Sequence, residues 1–172
     1  MQAAVGRTAL IAILGSIALV LAGCGGASAP KSVSPAQTAG LFMTSLIREK
    51  ATGEYGLAWQ SLHPLHQRVA PRADYLACEN KTAFPGTLRK VSVVRVKDEP
   101  VLIAGQDHTV ASKAVTIRVS VNSPGIPRPV VVTDTYHAIA VDGHWTWILT
   151  RKNFADYRAG HCPGLPPPET KA

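Results

Sequence analysis

The spacing of apolar positions divides the chain into three parts: an uninterrupted apolar run, a stretch with helical period, and a stretch with strand period. Residues 8–23 carry no charged side chain, and Arg7 is the only charge before them. After a small, polar interval, Ala39, Phe42, Met43, Leu46 and Ile47 recur at the spacing of one helix face, up to a stop at Gly53. Ser34, Pro35 and Gln37 supply that helix with a hydroxyl cap, a first-turn proline and a glutamine three residues after the cap. A second, short helix from Glu54 places Tyr55, Ala58, Trp59 and Leu62 on one side and halts before Pro64. A third, from Pro71 to about Thr82, stacks Tyr75 and Cys78 one turn apart.

Beyond Phe84-Pro85-Gly86 the period shortens to two. Val91–Val96 reads as a strand. Val115, Ile117, Val119 and Val121 alternate with Thr116, Arg118 and Ser120, the pattern of a half-buried strand. Val130–Val141 follows, then Asp142-Gly143, a pair suited to a two-residue hairpin turn, and a last strand over His144–Lys152. Helices followed by an antiparallel meander predict an α+β domain in which the helices cover one face of a curved sheet of about four strands. Arg118 and Ser120 lie opposite the valine stripe, so the stripe is expected against the helices.

The apolar run is short for a helix crossing roughly 30 Å of hydrocarbon, which takes about 20 residues. It has the parts of a secretion signal: a positive start, an apolar middle and small residues at the end. A retained N-terminal anchor helix is the alternative. Leu21-Ala22-Gly23-Cys24 resembles the lipobox of bacterial lipoproteins. The resemblance implies cleavage before Cys24, a diacylglycerol on its sulfur, and attachment to the extracytoplasmic face of the cell membrane. The chain then divides into a signal peptide (1–23), a lipidated flexible linker (24–33), the folded domain (34–162) and a Pro-rich, disordered tail (163–172).

With Cys24 lipidated, Cys78 and Cys162 remain. In an exported protein the simplest reading of such a pair is one disulfide. Two separate thiols and a metal site are the alternatives, the latter disfavoured because neither cysteine belongs to a C-x-x-C pair. The formal charge is +7, and +6 without Arg7. Basic residues are scattered rather than clustered, and export argues against nucleic acid, so the expected setting is an anionic membrane or wall.

Trp59-x-x-Leu62-His63-Pro64, Tyr75-x-x-Cys78, Gly143-x-Trp145-x-Trp147 and Gly160-x-Cys162 resemble small exported lipoproteins of high-GC Gram-positive bacteria. Their domain is similar to the nuclear transport factor 2-like, or cystatin-like, cone, with lumazine-binding-like domains among its relatives. That resemblance implies a pocket between helices and sheet, without fixing its ligand. Enzymes of this fold, such as ketosteroid isomerase and polyketide cyclases, put an acid or base and a hydrogen-bonding partner inside the cone. Candidates here are His63, His66, Asp134, Tyr136, His137 and His144. Strand parity puts Asp134 and Tyr136 on one face and His137 on the other. His144 falls at a turn, and His63 ends a helix where it can satisfy terminal carbonyls. The three tryptophans read as core, with Trp145 also a candidate for the pocket.

No G-x-S-x-G, H-E-x-x-H or phosphate-binding glycine loop occurs in the sequence. No catalytic residue, metal or cofactor is therefore expected. The predicted pocket draws on His63, Tyr75, Asp134, Tyr136, His137 and Trp145. The expected function is non-catalytic binding of a small apolar ligand or an envelope protein. The alternative is an isomerase- or cyclase-like enzyme using Asp134 or a histidine. A cone filled by Phe42, Trp59, Trp145 and their neighbours favours a structural or protein-binding role.

Overall fold

The computed structural model describes residues 35–82 and 84–164. The apolar run, Cys24, the linker and the chain after Gly164 lie outside the described residues. Helices α1 (Pro35–Thr52), α2 (Tyr55–Gln60), α3 (Pro64–Val69) and α4 (Arg72–Lys81) precede the sheet, and α5 (Arg151–Arg158) follows it. Four antiparallel strands form the sheet: β1 (Thr87–Asp98), β4 (Lys113–Asn122), β5 (Val130–Val141) and β6 (His144–Trp147), in that spatial order. Between β1 and β4 stands a small two-stranded arm, β2 (Val101–Leu102) paired with β3 (Thr109–Val110). The architecture is α+β, with an open sheet.

The helix period survives into structure. Ala39, Met43, Leu46 and Ile47 are buried on one side of α1, and Gly40 lets that helix approach β1. A Cβ there would stand 3.2 Å from a Val93 methyl. Gly53 ends the helix at φ +79. Its N–H goes to the Lys50 carbonyl, and that of Glu54 goes to Glu49 at 2.8 Å, a closure that depends on a left-handed residue.

The valine stripe also behaves as its alternation demands. Val115 and Ile117 are fully buried and join Met43, Leu46, Leu62, Tyr75 and Trp147 in one apolar cluster between helices and sheet. Asp142 and Gly143 both take positive φ in the β5–β6 turn, the geometry whose twist matches a two-residue hairpin.

Three elements depart from the expected pattern. The last strand stops at Trp147 rather than Lys152, because the chain leaves the sheet and starts α5 behind Thr150, whose hydroxyl accepts the Asn153 N–H at 3.1 Å. Helix α3 occupies Pro64–Val69, where the sequence shows only a helix end. The β2–β3 arm has strands of two residues, too short to carry a period.

Covalent and backbone links tie the layers together. The sulfurs of Cys78, on α4, and Cys162, just past α5, stand at bonding distance with Cα atoms 5.1 Å apart. His63 donates its N–H to the Trp147 carbonyl at 2.8 Å, and the Trp147 N–H reaches the Ser61 carbonyl at 3.1 Å. The α2–α3 link thus covers the outer edge of β6. The Trp147 indole adds a 2.7 Å bond to the Ala58 carbonyl.

Candidate functional site

Beyond its four-residue pairing with β6, from Ala138 to Val141, β5 continues along β4 back to Val130. Among the described residues nothing pairs with the outer side of Val130–His137. The Thr135 N–H confirms the orientation: it is taken by the Asp134 carboxylate at 2.7 Å rather than by the ladder. Alternation along the strand turns the N–H and C=O groups of Val131 and Thr133 outward as well.

Where that free edge meets the departing chain after β6 and the base of the β2–β3 arm, a pocket of about 320 Å³ opens. Leu102, Tyr136, His137, Ile148 and Arg151 are among its walls. Its volume is at the small end of the range for ligand sites, roughly 300–1,000 Å³. The space between helices and sheet, by contrast, is occupied by the apolar cluster.

The polar equipment of the pocket is defined. Ser112 donates its hydroxyl proton to the Glu99 carbonyl. Its oxygen, 2.9 Å from His137 Nδ1, therefore accepts from the ring. This leaves Nε2 of His137 as an acceptor. Burial pulls the imidazole below the ordinary histidine range; Glu99 opposes the shift and Lys97 reinforces it. The ring is neutral at pH 7. Ser112 is not placed as a nucleophile, since its proton points to a carbonyl and not to the histidine. Burial, followed by the Asp134 charge, raises Tyr136 and keeps its phenol protonated. The pocket thus presents an imidazole acceptor, a phenol and the Arg151 guanidinium beside unpaired backbone.

Of the six residues expected to share a pocket, the structure brings Tyr136 and His137 to this one. Register confirms their parity, with Tyr136 opposite Val115 and His137 opposite Ala114. Asp134 is on Tyr136's face, opposite Ile117, but it is exposed and turned to its own edge. Trp145 donates to the Thr38 hydroxyl at 3.0 Å. His63 caps a helix, though not as expected. Its Nδ1 accepts the Leu65 N–H at 3.3 Å at the start of α3 and leaves the carbonyls of α2 to other donors.

Tyr75 is fully buried in a separate polar cluster. Lys50 Nζ lies 2.9 Å from Glu79, 3.4 Å from the Tyr75 hydroxyl and 5.2 Å from the centre of the Trp147 ring. Burial, then the Glu79 charge, pushes the Tyr75 phenol far up. The cluster satisfies its own charges and bridges α1 to α4.

His66 is the buried histidine that its spacing does not distinguish from surface ones. Its Nδ1 accepts the Leu149 N–H at 2.9 Å, so Nε2 carries the proton and donates to the Ala104 carbonyl at 3.1 Å. It thereby holds the arm against the chain that leaves β6, and both segments wall the pocket. Among the described residues no group of three or more His, Cys, Asp or Glu side chains is placed to hold a metal. Neither a protein-family model nor a curated protein sequence matches the chain, so the lipoprotein and cone-fold resemblances stand on the motifs that carry them.

Proposed function

We propose that this chain is a lipid-anchored protein of the bacterial cell envelope, held at Cys24 on the extracytoplasmic face of the membrane. Its domain is a non-catalytic module that binds an extended segment of another envelope protein. The observation that carries this reading is the unpaired outer edge of β5 over Val130–His137, running into the pocket at Tyr136 and His137. An extended peptide adding to such an edge gains main-chain hydrogen bonds, and a neighbouring pocket selects one of its side chains. The filled interior favours this over a small apolar ligand inside the cone. An isomerase- or cyclase-like role has less support, because Asp134 is exposed, holds the Thr135 N–H and is not among the walls of the pocket that contains His137.

The test is peptide binding by the full chain in detergent. Selection from a library of extended peptides, followed by calorimetry, is expected to give binders that Thr133→Pro weakens about tenfold, the effect of one lost hydrogen bond of roughly 1.4 kcal/mol. Proline at an outward-facing edge position leaves the β4–β5 ladder intact. Peptides that bind Thr133→Pro undiminished, or a library that yields none, would rule out strand addition.

A further inference from the structure

The face of the sheet turned away from the helices is basic. Register places Lys90 opposite Ser120, Ser92 opposite Arg118, Arg95 opposite Thr116 and Lys97 opposite Ala114. These side chains share the face that the buried Val115 and Ile117 do not. On β5 the same face continues through Val131 and Thr133, the partners of Ser120 and Arg118. No strand position on it is an Asp or Glu.

Lys97 pairs with Glu99 at the far end of the face, and Arg95 also feels that carboxylate. Among the described residues Lys90 and Arg118 have no carboxylate partner. With Ser92, Ser120 and Val131 they line a shallow depression of about 220 Å³. Two unneutralised cations and two hydroxyls around one depression form a donor set for an oxyanion. Val131, 58% exposed at its rim, adds an apolar contact beside the charges.

We infer that this face docks on the anionic phosphodiester headgroups of the membrane. The inference rests on the anchored reading of Cys24. Composition reads the nine residues between Cys24 and Ser34 as a flexible linker, for which a root-mean-square reach on the order of 15–18 Å is expected. The domain is thereby held within about two Debye lengths of the headgroup layer. At that effective concentration a weak electrostatic contact is populated without high intrinsic affinity. Charge complementarity selects the basic sheet face. With the sheet lying flat on the bilayer, the free edge of β5 points along the membrane plane, open to a neighbouring envelope protein.

The test is lysine acetylation footprinting of the full chain reconstituted in nanodiscs of phosphatidylcholine, with or without phosphatidylglycerol. Lys152, on α5 and paired with Asp156, serves as the internal reference. Lys90 labelling is expected to fall about fivefold in the phosphatidylglycerol discs at roughly 0.1 M salt, and to recover at about 0.5 M as the charges are screened. Arg118→Glu, a surface change whose folding is checked by its melting temperature, is expected to abolish the protection. Equal Lys90 labelling in the two discs, or protection that persists in Arg118→Glu, would overturn the inference. So would protection by a soluble glycerol-phosphate polymer and not by the discs. A chain that enters neither disc counts against the anchor at Cys24 alone. The face is then read by sedimentation with phosphatidylglycerol vesicles, where failure to bind overturns it.

Discussion

Nδ1 of His66 accepts the backbone N–H of Leu149 at 2.9 Å, from a side chain with no solvent exposure. Protonating that nitrogen would set two donors against each other, and burial, the largest cause, lowers the pKa to about 4 from an ordinary 6.5. The unfolded chain takes up this proton at the higher value and the folded chain at the lower one. Stability is therefore complete above pH 6.5, declines as pH falls, and has lost its full share near pH 4, about 3 kcal/mol in all. Burial lowers His63 and His137 as well, so they act in the same direction. Urea midpoints measured across this window are expected to fall with acid, and a His66→Asn variant to show a shallower slope. Midpoints that do not change between pH 7 and 4 would exclude this role.

The Cys78–Cys162 link closes a loop with a sequence separation of 84. In the chain-entropy treatment a loop of that size contributes about 4.5 kcal/mol, and engineered cases often deliver less. Reduction, or the double change Cys78→Ser with Cys162→Ser, is expected to lower stability by about 2–5 kcal/mol. Thiol titration of the unreduced protein is expected to detect neither Cys78 nor Cys162. Two reactive thiols would contradict the link.

Gly86→Ala and Gly53→Ala form a matched pair. Both glycines have positive φ, but a Cβ on Gly86 would meet the Asn122 carbonyl oxygen at 2.1 Å, whereas one on Gly53 meets nothing within 4 Å. Gly53→Ala is expected to cost about 1 kcal/mol, from backbone conformation alone. Gly86→Ala adds a clash with the backbone of β4 and is expected to cost roughly 3 kcal/mol or more. Equal melting temperatures for the two variants would show that the β1–β4 junction yields freely.

Anchoring has its own measurement. Cys24→Ser is expected to release the protein from the membrane fraction or leave it unprocessed, and to abolish incorporation of a labelled fatty acid. Label retained on the serine variant would eliminate Cys24 as the attachment point.

Most of the layer architecture was legible because burial there follows simple periods. The Val115–Val121 alternation, the α1 stripe and Asp142-Gly143 each encode one geometry. The parity of Tyr136 and His137 was equally readable. Their pocket was not, because its other walls come from elements without a periodic signal. The arm contributes two-residue strands. In α5 only Phe154 and Tyr157 are buried, so Thr150-x-x-Asn153 is the main local signal of that helix. His66 looks like any polar residue of a short helix until Leu149 and Ala104 are brought to it.

The position of the Cys78–Cys162 link also divides the chain mechanically. All six strands and α5 lie inside the covalent ring, while α1, α2, α3 and most of α4 lie on the open arm between the ring and the N-terminus. A pull on that end against the chain beyond Cys162 loads the helices one after another, and the link then stops the extension at Cys78. The strands cannot be drawn out in line, since force entering at Cys78 bypasses them through the sulfurs. Strain entering from the N-terminal side is thus absorbed by helical layers that can re-form on the sheet, while the free edge of β5 stays within the protected loop.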